Sequence, residues 1–273
     1  MRNGSIAIGA AALFGAGAVA GPLSWGIIST TGDPDPITVF DLADPIGSAT
    51  GLGFVDGNFN RGMDFDSENS FYYYVSTDSL NDVGDRGLWR WNAGVNTQLY
   101  NTGFSDSGDG DATLGNDGNT FFVTTDDGDS ITGDSLYAFS NLNGAVTFTE
   151  IGETGLSQLI GIAMDPTTGI LYGYDASTEG LYSISTTDAS TTLIGFSGQS
   201  IGAIGGMDFS ADGSVLLLAD GSDVLFSVNV ADGSMMVAGD ITLNVSALSY
   251  RVPTPGAVAL LGLGGLTTLR RWR

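Results

Sequence analysis

A unit of four short strands, repeated along most of the chain, constrains the fold more than any other feature of the sequence. Its best copy spans residues 161–195. An apolar lead strand at 160–164 is followed by runs rich in β-branched, Leu and Tyr residues at 170–174, 181–185 and 191–194. Turn chemistry separates them: in Asp165-Pro166-Thr167-Thr168-Gly169, proline fixes φ and glycine accepts the positive φ that closes a hairpin. The lead strand, with its Met and Asp, recurs as Gly62-Met63-Asp64, Met164-Asp165 and Gly206-Met207-Asp208. Each is followed by an apolar second strand, at 71–75, 170–174 and 215–219, and by a third opening Leu88-Trp89, Leu181-Tyr182 or Leu225-Phe226. A degraded copy lies between, at 112–114, 120–124 and 136–139.

With Met63, Leu114, Met164, Met207 and Leu248 taken as equivalent, the spacings are 51, 50, 43 and 41 residues. That is the length of a four-stranded propeller blade, about 40 to 50 residues. One such sheet cannot bury both faces, so blades stack around an axis and share their apolar sides. The expected fold is an all-β propeller of five four-stranded blades. A β-sandwich also has short, turn-rich strands, but it does not require the same four-strand unit again and again. Near the N-terminus, residues 37–42 resemble a third strand and 51–55 a fourth; residues 245–250 resemble a lead strand with no full blade behind it. N- and C-terminal strands therefore complete one composite blade, which hides edges that would invite aggregation.

The chemical inventory is narrow. The chain has no cysteine or histidine, and its 8 basic residues, all arginine, face 31 acidic ones, for a net charge of -23. Without disulfides the domain must be stable by packing alone. Ser-His-Asp and Cys-His nucleophiles, Schiff-base lysines, P-loops and zinc or haem ligation through His or Cys are excluded. Such an acidic surface repels nucleic acid and attracts cations, so no nucleic-acid partner is expected. Calcium binding and carboxylate-based glycoside hydrolysis remain open.

Both ends read as targeting segments. Residues 1–20 carry one positive residue, Arg2, an apolar run from Ile6, and Ala18-Val19-Ala20 ahead of Gly21. This is the pattern of a cleavable signal peptide. Residues 21–36, with Asp33-Pro34-Asp35-Pro36, read as a linker, and residues 37–251 as the propeller domain. At the other end Val252-Pro253-Thr254-Pro255 precedes an uncharged apolar run, and the chain finishes Arg270-Arg271-Trp272-Arg273. A helix over that run is about 21 Å long, short of the ~30 Å hydrocarbon core, so it makes at most a weak transmembrane anchor.

This ending, residues 252–273, resembles a PEP-CTERM sorting tail, with Val252, Pro253, Pro255, Arg270, Arg271 and Arg273 matching and Thr254 standing where the motif has Glu. The resemblance implies an exosortase-type processing enzyme as partner, membrane contact only through the tail, and export to the cell envelope, outer surface or extracellular matrix of a Gram-negative-type bacterium.

Three groups of residues are candidates for chemistry. Asp106, Asp109 and Asp111, with Asp126, Asp127, Asp129 and Asp134, form two Gly-spaced acidic loops. They are candidate ligands for one structural calcium, which wants six to eight oxygens, or else solvated acidic loops; neither has EF-hand spacing. Asp64, Asp165 and Asp208 end the lead strands and are candidates for a carboxylate ring at one channel mouth, where one acid and one base or nucleophile would suit glycoside hydrolysis. The alternative is ordinary turn-capping aspartate. Tyr72 and Tyr74 share one strand face and, with Trp89 and Trp91, could stack on sugar rings or fill the core between blades. The expected function is an exported binding or structural module, with polysaccharide or another envelope component as partner. A carboxylate-dependent glycoside hydrolase or lyase is the alternative.

Overall fold

The computed structural model describes residues 24–29, 35–55, 60–69, 71–76, 87–102, 110–125, 134–202, 205–221, 223–242 and 244–251. Twenty strands follow one another: β1 Ser24–Ser29, β2 Pro36–Asp41, β3 Thr50–Phe54, β4 Asn60–Asp66, β5 Phe71–Ser76, β6 Gly87–Asn92, β7 Val95–Asn101, β8 Ala112–Leu114, β9 Thr120–Thr125, β10 Ser135–Ser140 and β11 Thr147–Glu153. They continue with β12 Leu159–Met164, β13 Leu171–Asp175, β14 Gly180–Ile184, β15 Thr191–Phe196, β16 Gly205–Phe209, β17 Leu216–Asp220, β18 Val224–Val228, β19 Met235–Asp240 and β20 Val245–Arg251. A one-turn helix, α1, Pro45–Ser48, lies between β2 and β3, capped by Asp44, whose carboxylate accepts the Gly47 amide.

The strands form five four-stranded antiparallel sheets. Four are sequential meanders, and the fifth has the order β20-β1-β2-β3, so the last strand of the chain pairs with the first. This is a five-bladed propeller closed by a composite blade. Each of the five interfaces between blades has its own apolar cluster. Met207, Phe209 and Leu218 of the fourth blade, for example, meet Ile160, Tyr172 and Tyr174 of the third. Every blade also has a register shift between third and fourth strands, just after Ile37, Leu88, Leu136, Leu181 or Leu225. Such bulges increase twist and turn the outer edges away from pairing with another sheet.

The linker assigned to residues 21–36 is corrected here. Within it Ser24–Ser29 is β1, the second strand of the closing blade, between β20 and β2. Trp25, Ile27 and Ile28 are fully buried. Sequence comparison missed β1 because Ser-Trp-Gly-Ile-Ile-Ser has no Leu-aromatic opening and no recognisable lead strand before it. The residues of the signal-peptide and sorting-tail assignments, 1–20 and 252–273, lie outside the described residues. Among the described residues no helix is long and apolar enough to cross a membrane.

Strand pairing also corrects the alignment of the repeats. Met63, Ala112, Ile162, Met207 and Leu248 pair with Tyr74, Val123, Gly173, Leu218 and Ile27 and are therefore equivalent. Leu114 and Met164 stand two residues further on. The next layer is then Asp64, Thr113, Ala163, Asp208 and Ser249. Asp165 corresponds to Asp66, past the strand end.

Candidate functional site: carboxylates on the propeller axis

The five lead strands ring the axis without pairing with each other, which leaves backbone N–H groups facing inward. Buried donors must find acceptors, and side chains of the axial layer supply them. Asp64 Oδ2 accepts the Leu114 amide at 2.6 Å and the Thr113 hydroxyl at 3.2 Å; its Oδ1 accepts the Phe65 amide at 2.6 Å and the Ser249 hydroxyl at 3.2 Å. Thr113 in turn accepts the Met164 amide at 3.2 Å. Asp208 accepts the Phe209 amide at 2.7 Å and the Tyr250 amide at 2.6 Å. In four of the five blades one axial side chain thus ties its lead strand to a neighbour; the third blade, with Ala163 at that position, has none.

Asp111 sits one layer deeper, where the other blades carry Gly62, Gly161, Gly206 and Ala247. Small residues are needed there because the lead strands approach closely: a Cβ on Gly206 would collide with the Leu248 amide nitrogen and stand 2.8 Å from the Ala247 carbonyl carbon. Into this space Asp111 extends, and its Oδ2 accepts the amides of Ile162 at 3.0 Å and Met207 at 2.9 Å, from two further blades. Its Oδ1 is buried and accepts no hydrogen bond among the described residues.

These three carboxylates are in one electrostatic field. Burial pushes Asp64 up to about 6 against the opposing hydrogen bonds from Leu114, Phe65, Thr113 and Ser249. Burial also raises Asp208 well above the carboxylate range, and the charges of Asp64 and Asp111 add to it. Asp111 is raised well above that range by burial, with the Asp64 charge adding, although the amides of Ile162, Met207 and Ala112 favour its ionised form. Desolvation and like charge act in the same direction, so these carboxyls give up their protons at higher pH than exposed carboxylates do.

At one end of the axis Asp64 and Asp208 line a cavity of about 300 Å³. Asp66, Glu68, Asp117 and Tyr250 stand around it, and among the described residues no arginine is in its wall. The mouth is thus rich in carboxylate oxygens.

The three sequence candidates for that mouth separate. Asp64 and Asp208 belong to it, but Asp165 does not join the carboxylate ring. Its Oδ1 accepts the Thr167 amide at 2.7 Å and the Thr168 amide at 3.3 Å, and its Oδ2 accepts the Thr168 hydroxyl at 2.7 Å. Asp66 caps the equivalent turn through the Glu68 and Asn69 amides. Burial opposes ionisation of Asp165, but the Thr168 and Thr167 donors outweigh it and lower its pKa. Residue 163, the axial position of the third blade, is alanine. Alignment on the glycine within these lead strands, Gly62, Gly161 and Gly206, rather than on methionine would have found this.

Of the calcium candidates, Asp106, Asp109, Asp126, Asp127 and Asp129 lie outside the described residues. Asp111 and Asp134 are committed to the scaffold rather than gathered in a loop: Asp111 braces the axis, and Asp134 accepts the Leu159 amide at 2.5 Å. Among the described residues no group of three or more potential ligands is placed to hold a metal ion.

The aromatic candidates are corrected as well. Tyr72, Tyr74, Trp89 and Trp91 are all buried, packed with Ile28, Ile37 and Val55 between the closing blade and the first. Tyr74 and Trp89 stack on each other at 6.3 Å. They fill an interface between blades and offer no platform for a sugar. Sequence reasoning missed Thr113, Ser249 and Tyr250, whose role depends on which strands meet at the axis.

No protein-family model matches the chain, and no curated protein matches it. The fold is similar to that of a chain in a crystallised nidogen/laminin complex, with 18% identity and a TM-score of 0.57, over 84% of this chain and 82% of that one. It is also similar to a protein provisionally named a gluconolactonase, with 13% identity and a TM-score of 0.50, over 84% and 82% of the two chains. At these identities the likeness is one of fold.

Proposed function

We propose that this propeller is an exported module of the cell envelope or extracellular matrix that binds a hydroxyl-rich ligand, such as a polysaccharide, at the acidic mouth of its axis. The observation that carries the reading is the cavity of about 300 Å³ walled by Asp64, Asp208, Asp66, Glu68 and Asp117, with no basic residue among the described ones that line it. Carboxylates accept hydrogen bonds from sugar hydroxyls, and an anionic polymer is repelled. Export and surface location rest on the signal-peptide pattern of residues 1–20 and the PEP-CTERM-like ending, with an exosortase-type enzyme as processing partner. Glycan-array binding with wild type and Asp208→Asn tests the site. Neutral glycans retained by wild type and lost in the variant support it; identical profiles refute it.

A second reading is carboxylate-dependent hydrolysis, favoured by one observation: Asp64 and Asp208 share the mouth and are both raised. A raised carboxyl can act as general acid while an ionised one acts as base or nucleophile. Turnover of the bound glycan that disappears in both Asp64→Asn and Asp208→Asn would replace the binding reading with the enzymatic one. Intact mass of the protein recovered from its native host tests the tail: loss of the residues after the propeller supports processing, and a full C-terminus opposes it.

A further inference from the structure

The closing strand β20 is held at the axis by two carboxylates, one from each neighbouring blade. On one side Asp208 of β16 accepts the Tyr250 amide; on the other, Asp64 of β4 accepts the Ser249 hydroxyl. Both bonds fall on the last turn of chain before residue 252, where the sorting-tail segment begins. β20 has no covalent continuity with the blade that it completes except through the far end of the chain, so its attachment rests on pairing with β1, on the apolar packing of Val245, Ala247 and Leu248, and on these axial contacts.

The groups facing this pair are overwhelmingly acidic or neutral. β8 contributes Thr113, with Asp111 just before it, β12 contributes Ala163, and β20 contributes Ser249 and Tyr250. Asp66 follows on β4, Ser210 follows β16, and Glu68 and Asp117 stand at the rim. β17, which also packs on β20, ends at Asp220, and the charge of Asp212 acts on Tyr250. β1 presents Trp25, Ile27 and Ile28. Arg90 lies two strands out, on β6. Arg61 on β4 and Arg251 on β20 are the other charged residues of these strands, and their side chains lie outside the described residues.

We propose that Asp64 and Asp208 form a proton-dependent latch on β20: while at least one of them is protonated they hold the closing strand, and when both are ionised they repel each other across it and loosen it. The direction follows from charge. A proton removes repulsion between two buried carboxylates but leaves an acceptor oxygen on each for the Tyr250 amide and Ser249 hydroxyl. Ionisation restores the repulsion, with Asp111 adding to it, and no described basic side chain neutralises it. The strand that gives way is the one whose neighbours on both sides carry the charge. This device goes beyond ligand binding and does not depend on it.

Hydrogen exchange of the full chain, read as protection factors at pH 5 and pH 8, tests the latch. The amides of β20 and β1 should lose at least tenfold more protection at the higher pH than those of β9, β13 and β17 lose through the global fall in stability. In Asp64→Asn and in Asp208→Asn this excess should shrink to under threefold, whereas Asp66→Asn, off the axis, should keep it. Equal protection at both pH values, an equal loss over all blades, or an unchanged dependence in both axial variants would overturn the proposal. If an axial variant fails to fold, the wild-type contrast between β20 and the internal blades still decides.

Discussion

Trp25→Ala probes the part of the ring that sequence comparison placed outside the domain. The Trp25 side chain is fully buried on β1, within the cluster that joins the fourth blade to the closing one, among Phe40, Leu217, Leu225 and Leu248. It meets Tyr250 of β20 edge to face, with ring centroids 4.9 Å apart. Truncating a buried tryptophan costs about 3 to 5 kcal/mol in lost burial and residual cavity. The aromatic pair contributes about 0.5 to 1.5 kcal/mol beyond area, so a total near 5 kcal/mol is expected. For a domain of this size each kcal/mol lowers Tm by about 2 to 4 °C, which places the drop at about 10 to 20 °C. Differential scanning calorimetry on wild type, Trp25→Ala and Phe196→Ala gives the comparison. Phe196 is large but 62% exposed on an outer strand, and its truncation should move Tm by no more than about 2 °C. A Trp25→Ala melt within about 2 °C of wild type would refute closure of the ring through β1.

The pH dependence of stability should run against the usual acid-denaturation trend. Asp64 is raised from 3.8 to about 6, so the folded state holds a proton that the unfolded chain has released. Its stability contribution is complete below about pH 4 and is lost as pH rises through 6, on the order of 3 kcal/mol; urea melts from pH 4 to 8 should show this fall, and Asp64→Asn should reduce it. Trp91→Ala, between blades, should cost about 3 to 5 kcal/mol in urea unfolding while glycan binding by the folded fraction is unchanged; loss of binding with little loss of stability would restore a stacking role. Asp165→Ala should cost about 1 kcal/mol through its turn and leave the pH dependence intact, read from the same melts. Gly206→Ala, which forces a Cβ onto the backbone of β20, should destabilise by more than about 2 kcal/mol in those melts; a neutral outcome would mean the lead strands are not this close.

The blade count, the strand lengths and the sharing of one blade between the two ends were legible in sequence, because each blade repeats the same local demands. Turn residues such as Pro166 and Gly169 fix hairpins, and alternating apolar runs need two covered faces. The alternation also separated Tyr72 and Tyr74 from Tyr73 correctly: the first two face the closing blade and the third faces the second blade. What their faces meet was not legible, and so a core was read as a possible sugar platform.

The axial site depended on tertiary structure for a different reason. Residues two apart share a strand face, so a two-residue alignment error leaves the apolar alternation intact while exchanging an axial position for a turn. Asp165 and Ala163 are both compatible with the repeat as a string, and only the pairing of Ala163 with Tyr172 and of Met164 with Leu171 assigns them. Asp111 looked like part of an acidic loop, yet it occupies a glycine position where three lead strands converge. β1 carried no copy of the repeat motif, and its place between β20 and β2 follows from the geometric requirement that the ring close. Sequence by itself determined the repeating scaffold, since hairpins and apolar faces are local; the closing strand and the carboxylates at the axis were decided by contacts between blades distant in the chain.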